Sequence, residues 1–204
     1  MAIKERKERE KQDMRNLIIE SATQLFLKHG YDKTSIRNIA EDIEYSPATI
    51  YLYFKDKDEI FYVIHENAFD LLVKLFREHD TISNPYERLG AIGRTYINFA
   101  FENPDYYDLM FIMRAPLSQI KHEERWNAGE CAFGYVLDTL TQCLDQKLIR
   151  PADKYITAVS VWSFVHGLVS LYIRERMCIL EMPDDVVRDI VNASFENFFQ
   201  SLKT

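Results

Sequence analysis

Six prolines, at positions 47, 85, 104, 116, 151 and 183, constrain this chain more than any other feature. Proline has a fixed φ and no N–H, so a helix tolerates it in the first turn and excludes it from the interior. Between these points the apolar residues recur at offsets of three and four, the period of a buried helical face. Residues 14–28 place Met14, Leu17, Ile18, Ala22, Leu25 and Phe26 on one side, with Gly30 following as a C-cap. Thr34-Ser35 offers an N-cap to a short helix carrying Ile36, Ile39, Ala40 and Ile43. Glu44-Tyr45 breaks that helix, and Ser46-Pro47 starts the next with a capping hydroxyl and a proline at the first position. Asp56 caps a helix over about 57–79, ~34 Å long. Its stripe is Ile60, Phe61, Ile64, Ala68, Leu71, Leu72 and Leu75. The five later prolines mark five further helix starts. No β-hairpin signal, internal repeat or low-complexity linker interrupts the pattern, which predicts an all-α protein.

Three short helices, the second and third joined by a tight turn, form the helix-turn-helix arrangement. In it the third helix enters the major groove with its N-terminal residues at the base edges. The segment SPATIYLYF at residues 46–54 suits that position. Ile50 and Phe54, four apart, face the core, and Ala48, Thr49 and Tyr53 turn outward. Small residues allow close approach to bases, while the hydroxyls of Thr49, Tyr51 and Tyr53 can bond phosphates or base edges. Lys55 and Lys57 lie at the start of the long helix, where anions are favoured. The plainer alternative is that 46–54 only packs a three-helix core.

Charge narrows the options without choosing among them. The formal net charge is -7. Residues 1–60 hold eleven Lys/Arg and twelve Asp/Glu, so the N-terminal part is near neutral and the rest acidic. DNA binding by such a chain must rest on the placement of a few groups rather than on bulk charge. The charged MAIKERKEREKQ start has no apolar core of a secretory signal. The three cysteines (Cys131, Cys143 and Cys178) form no CxxC pair and read as buried, reduced thiols of a cytoplasmic protein. Residues 155–173 carry no formal charge and approach the length of a membrane span. Serines, Thr157, His166 and Gly167 dilute that run, and burial of one face inside the subunit and the other under a partner explains it equally. No membrane association is expected. There is no P-loop, GxGxxG, GxSxG or HExxH, so no enzyme activity is expected. His122 and Cys131 lack a second pair, and neither a metal site nor a cofactor is implied.

The stretch TSIRNIAEDIEYSPATIYLYFKDKDEIF, with ATQLFLKHGYDKTS before it, resembles the TetR/AcrR family of bacterial transcriptional regulators. The match covers residues 14–62. NPDYYDLMF and VWSFVHGL resemble the family's ligand domains more loosely. The resemblance implies a helix-turn-helix DNA-binding domain over 1–60, with the motif proper at about 35–54, and a helical ligand-binding and dimerisation domain over 61–204. It further implies a DNA face made of Thr34, Ser35, Ser46, Pro47, Ala48, Thr49, Tyr51, Tyr53 and Lys57. Glu44 departs from the glycine usual in the turn, Pro47 from a common Lys or Arg, and Tyr53 from a common His.

A regulator of this kind needs a ligand site and a dimer interface. Aromatic rings and methionines crowd residues 96–113, and pockets for small molecules are mostly apolar with a few placed polar groups. The candidate ligand residues are Tyr96, Phe99, Tyr106, Met110, Phe111, Trp126, Phe133, Trp162 and His166. Each ring taken singly reads more simply as core. Residues 184–202 carry Val187, Ile190, Val191, Ser194, Phe195, Phe198 and Leu202 on one stripe. Together with the 155–173 helix they would form a four-helix homodimer interface. The expected function is a repressor that leaves a palindromic double-stranded DNA operator when a small apolar or aromatic effector binds. An activator of the same fold, or a helical adaptor for protein partners, stands as the alternative.

Overall fold

The computed structural model describes residues 2–113 and 127–204. Pro116, His122 and Trp126 lie outside the described residues. Among those described the chain is helical, without a strand, as the proline spacing and apolar period require. In order the helices are α1 (Ala2–His29), α2 (Ile36–Asp42), α3 (Pro47–Ile50), α4 (Lys57–Arg77), α5 (Pro85–Glu102) and α6 (Pro104–Tyr107). A π-helical turn, Asp108–Ile112, follows. Then come α7 (Asn127–Asp145), α8 (Lys154–Ile173), a 3-10 turn (Arg176–Leu180) and α9 (Asp184–Ser201).

Two compact units divide the chain, with the boundary inside α4. One runs to Ala68 and takes in the Asp108–Ile112 turn; the other holds Phe69–Tyr107 and Asn127–Thr204. In the first, Ile18, Ala22 and Phe26 of α1 are buried with Ile39 and Ala40 of α2, Ile50 of α3 and Ile60, Phe61 and Ile64 of α4. Gly30 ends α1 at φ 82°, the left-handed C-cap. Helix α1 begins about a dozen residues earlier than the apolar stripe alone predicts. Its added turns are mostly Glu, Lys and Arg, good helix formers that pair at i,i+4, as Arg6 Nε does with Glu10 Oε1 at 3.1 Å.

The second unit is built on α5, α7, α8 and α9. Gly90 and Gly93 of α5 make room for two rings of α9. A Cβ at Gly93 would stand 2.2 Å from Phe195 Cζ, and one at Gly90 2.8 Å from Phe199 Cε1. Tyr86 stacks on Phe199 at 4.4 Å, and its hydroxyl donates to the Phe199 carbonyl. Pro85 and Pro104 open helices as expected, and Pro183 is the N-cap of α9. Pro151 does not open α8; Asp153, whose carboxylate accepts from the Tyr155 and Ile156 amides, caps it instead. Only Cys143 of the three cysteines is buried, where desolvation pushes its thiol up to about 11; Cys131 and Cys178 are exposed. Helix α8 buries Ala158, Val161, Val165 and Val169 but exposes Tyr155, Ile156, Val159 and Leu171. By length and composition it could cross a membrane. At Gly167 a Cβ would meet no described atom within 4 Å, so among the described residues it serves no close helix approach.

Candidate nucleic-acid interface

The turn between α2 and α3 is a Schellman motif. The Tyr45 amide donates to the Ala40 carbonyl at 2.8 Å and the Glu44 amide to Glu41 at 3.2 Å, with Glu44 left-handed at φ 59°. Both helices that flank it are capped by side chains. Ser35 Oγ accepts from the Asn38 amide at 3.2 Å, while Asn38 Oδ1 accepts from the Ser35 amide at 3.0 Å, a closed capping box. Ser46 Oγ accepts from the Thr49 amide at 3.3 Å and lies 3.0 Å from Thr49 Oγ1. One α-helical turn, Pro47–Ile50, is continued by turn hydrogen bonds from Tyr51, Leu52, Tyr53 and Phe54 to carbonyls three or four residues back. Ile50 and Phe54 are buried at 0% and 1% exposure. That orientation turns the rest of the segment outward: Ser46, Pro47, Ala48, Tyr51 and Leu52 are exposed, and Thr49 and Tyr53 half-buried.

Two of the expected DNA-face residues are spent inside the unit. Thr34 is buried, and its hydroxyl donates to the Gly30 carbonyl at 2.9 Å. Lys57 Nζ donates to the carbonyls of Tyr31 at 2.7 Å and Thr34 at 2.9 Å, and lies 3.9 Å over the Tyr31 ring. The Tyr31 hydroxyl in turn donates to Asp58, and burial together with that bond raises the Tyr31 pKa. This cluster fastens the loop before α2 to the first turn of α4. Sequence alone does not single out Arg15. Its Nη1 donates to the Tyr53 carbonyl at 2.9 Å, and its guanidinium sits 4.4 Å over Phe54. The contact spans 38 residues, and no local pattern announces it.

The candidate ligand residues separate. Phe99 is plain core, Tyr106 is half-buried, and Met110 and Phe111 fall in the π-helical turn of the first unit. Tyr96, Trp162 and His166 meet in the second unit, with Phe133 6.1 Å from Trp162. Tyr107 joins them: both its hydroxyl and that of Tyr96 stand 3.0 Å from His166 Nδ1, and Tyr107 also donates to the His166 carbonyl at 3.1 Å. Burial raises the Tyr96 pKa and lowers that of His166, which favours the neutral form of both.

Capped short helices joined by a Schellman turn, with the second turned outward, define a helix-turn-helix DNA-binding protein with a second, helical unit. Two family models match. Residues 18–63 match bacterial regulatory proteins of the tetR family, and residues 89–197 match the tetracyclin repressor-like C-terminal domain. The chain therefore belongs to the TetR family and is a DNA-binding transcriptional regulator. Among its relatives is the HTH-type transcriptional regulator HbdR of Aromatoleum sp. (strain CIB), 26% identical over 76% of this chain and 69% of that protein. Another is the biofilm operon icaADBC HTH-type negative transcriptional regulator IcaR of Staphylococcus epidermidis. It is 29% identical over 53% of this chain and 60% of its own length, less than two thirds. The TetR family regulator PfmR from Thermus thermophilus shares the fold at a TM-score of 0.70 and 20% identity, covering 92% of this chain and 99% of that one. So does the fatty acid degradation regulator FadR from Bacillus halodurans, at 0.71 and 17% over 92% and 95%.

Proposed function

We propose that this regulator is a homodimeric repressor that reads a palindromic operator through α3 and releases it when a small apolar or aromatic molecule enters the second unit. The observation that carries this reading is the side-chain-capped Ser46–Phe54 segment, turned outward behind a Schellman turn. Ala48 and Thr49 would approach base edges, with Pro47, Tyr51 and Tyr53 beside the phosphates. Ser35 and Ser46 present helix N-termini while capping them. Thr34 and Lys57 then act from inside, holding the loop that carries α2. The word "negative" in the name of the IcaR relative supports repression over activation.

Two further features support the rest. The outer face of α8, with Ile156 69% and Val159 49% exposed, is apolar enough to need a cover, and a second copy against α8 and α9 supplies one. That role also accounts for the membrane-like composition of α8 in a regulator that works on the chromosome, in the cytoplasm. Tyr96, Tyr107, Trp162 and His166 combine rings with hydrogen-bonding groups, the mixture a small-molecule site needs.

Selection of bound fragments from genomic DNA by the purified protein, followed by titration of the selected duplex with and without effector candidates, tests the reading. A two-fold symmetric site with half-sites ~34 Å or a multiple apart is the expected outcome. Failure to enrich any sequence at moderate salt would favour the protein-adaptor alternative.

A further inference from the structure

Residues 4–13 of α1 are all exposed. The segment has no apolar face to bury, so packing does not explain why these turns exist. Its charges are nevertheless sorted. Lys4, Lys7, Lys11 and Arg15 recur at steps of three, four and four, which puts them on one side of the helix. Glu8 is the one carboxylate on that side. The remainder of the circumference carries Arg6 and Arg9 with Glu5, Glu10 and Asp13, and there Arg6 is already paired to Glu10. Four cations against one carboxylate thus face two cations against three. Among the described residues Lys4, Lys7 and Lys11 enter no salt bridge.

The inner end of this stripe is tied to the reading helix. Arg15 donates to the Tyr53 carbonyl and covers the Phe54 ring, so the basic line starts beside the chain that leaves α3 and runs outward along α1. We propose that the stripe is a second DNA-contacting surface, with its lysines following the phosphates of one strand flanking the half-site read by α3. The inference rests on the DNA-binding reading above. From Lys4 to Arg15 the stripe is ~16 Å long, the span of about five phosphates at ~3.4 Å of axial rise per strand. An acidic duplex suits it better than a membrane surface, because an interfacial helix needs an apolar face opposite its basic one. It also answers how a near-neutral N-terminal domain holds a polyanion: the domain sorts its charge instead of accumulating it.

Two charge-matched variants of the full chain test this: Lys7→Gln/Lys11→Gln on the stripe and Arg6→Gln/Arg9→Gln off it. Both are checked for unchanged circular dichroism and melting, which exposed side chains make the expected result. Each is titrated at several salt concentrations against the genomically selected operator in a duplex cut to the site and in one extended by about ten base pairs, one helical turn, on each side. The stripe variant is expected to bind the long duplex about tenfold more weakly at low salt, with the log–log salt slope smaller by about 1.8 for two phosphate contacts. It should also lose the advantage of the long duplex over the short one, while the off-stripe variant stays near the parent. Equal losses in both variants, or a stripe variant within about twofold of the parent with an unchanged slope, would overturn the proposal and leave the DNA-binding reading standing. A parent that binds neither duplex nor random-sequence DNA at low salt would overturn both.

Discussion

Glu44 holds a backbone conformation that favours glycine, at φ 59°, in the turn on which the orientation of α3 depends. Its Cβ strains against the neighbouring carbonyl there, a cost glycine does not incur. Glu44→Gly is expected to raise stability by about 0.5–1 kcal/mol, net of glycine's greater freedom in the unfolded chain. Lys147, at φ 55° in the same kind of turn after α7, provides a matched control in the other unit. Urea titrations of Glu44→Gly and of Lys147→Gly check this; a loss of stability in Glu44→Gly would mean the carboxylate has a compensating role. Lys57 poses a different question at the same scale. Its ammonium is committed to two carbonyls and an aromatic face. Lys57→Met should therefore lower stability by about 1.5–3 kcal/mol, the range for hydrogen bonds to a charged group. The salt slope of DNA binding should change little. A slope reduced by about one with unchanged stability would restore Lys57 to the phosphate contacts.

Helix α5 depends on two glycines that carry no conformational role. Gly93→Ala would push a methyl into the Phe195 ring of α9, and overpacking of this kind costs about 1–3 kcal/mol. Thermal melting of the variant checks it, with Gly134→Ala as a comparison, since a Cβ at Gly134 meets no described atom within 4 Å. These elements also divide what the sequence could tell from what it could not. Gly30, Ser35, Ser46-Pro47 and Asp56 were legible because each cap acts within four residues of itself. The burial of Ile50 and Phe54 followed from their spacing alone. By contrast the α5–α9 glycine groove, the Arg15–Tyr53 bond and the inward commitment of Lys57 join residues far apart in the chain. Such pairings leave no periodic trace. Tyr107 illustrates the same limit: its spacing did not separate it from the neighbouring core aromatics, and only the fold sets its hydroxyl against His166.

At the scale of the whole molecule protonation is linked to folding, and the proposed dimerisation would be linked to DNA binding. Burial lowers the pKa of His166 below its usual 6.5, and that of His65 likewise. A lowered folded value means the unfolded chain takes up the proton first as pH falls. Stability is thus full above about pH 6.5, declines as pH drops from there towards the folded values, and changes no further from this cause below them. The melting temperature should fall between about pH 7.5 and 5.5, and fall less in His166→Asn. The second equilibrium rests on the outer face of α8. Ile156 and Val159 lie three apart on it, both exposed in the single chain, with Tyr155 beside them. If a second copy covers this face, carboxylates placed there would be desolvated against each other across the two-fold axis, a charge burial that no partner relieves. Ile156→Glu/Val159→Glu should then be a folded monomer by light scattering at micromolar concentration, where the parent is expected to be a dimer. Each monomer still carries one intact α3, so it should retain weak, salt-sensitive binding to any duplex. What it should lose is the operator, because two half-sites read by one dimer gain from effective concentration, an advantage of order a hundredfold or more that independent monomers lack. A variant that stays dimeric would place the interface elsewhere, and a monomer that binds the operator as tightly as the parent would separate recognition from dimerisation altogether.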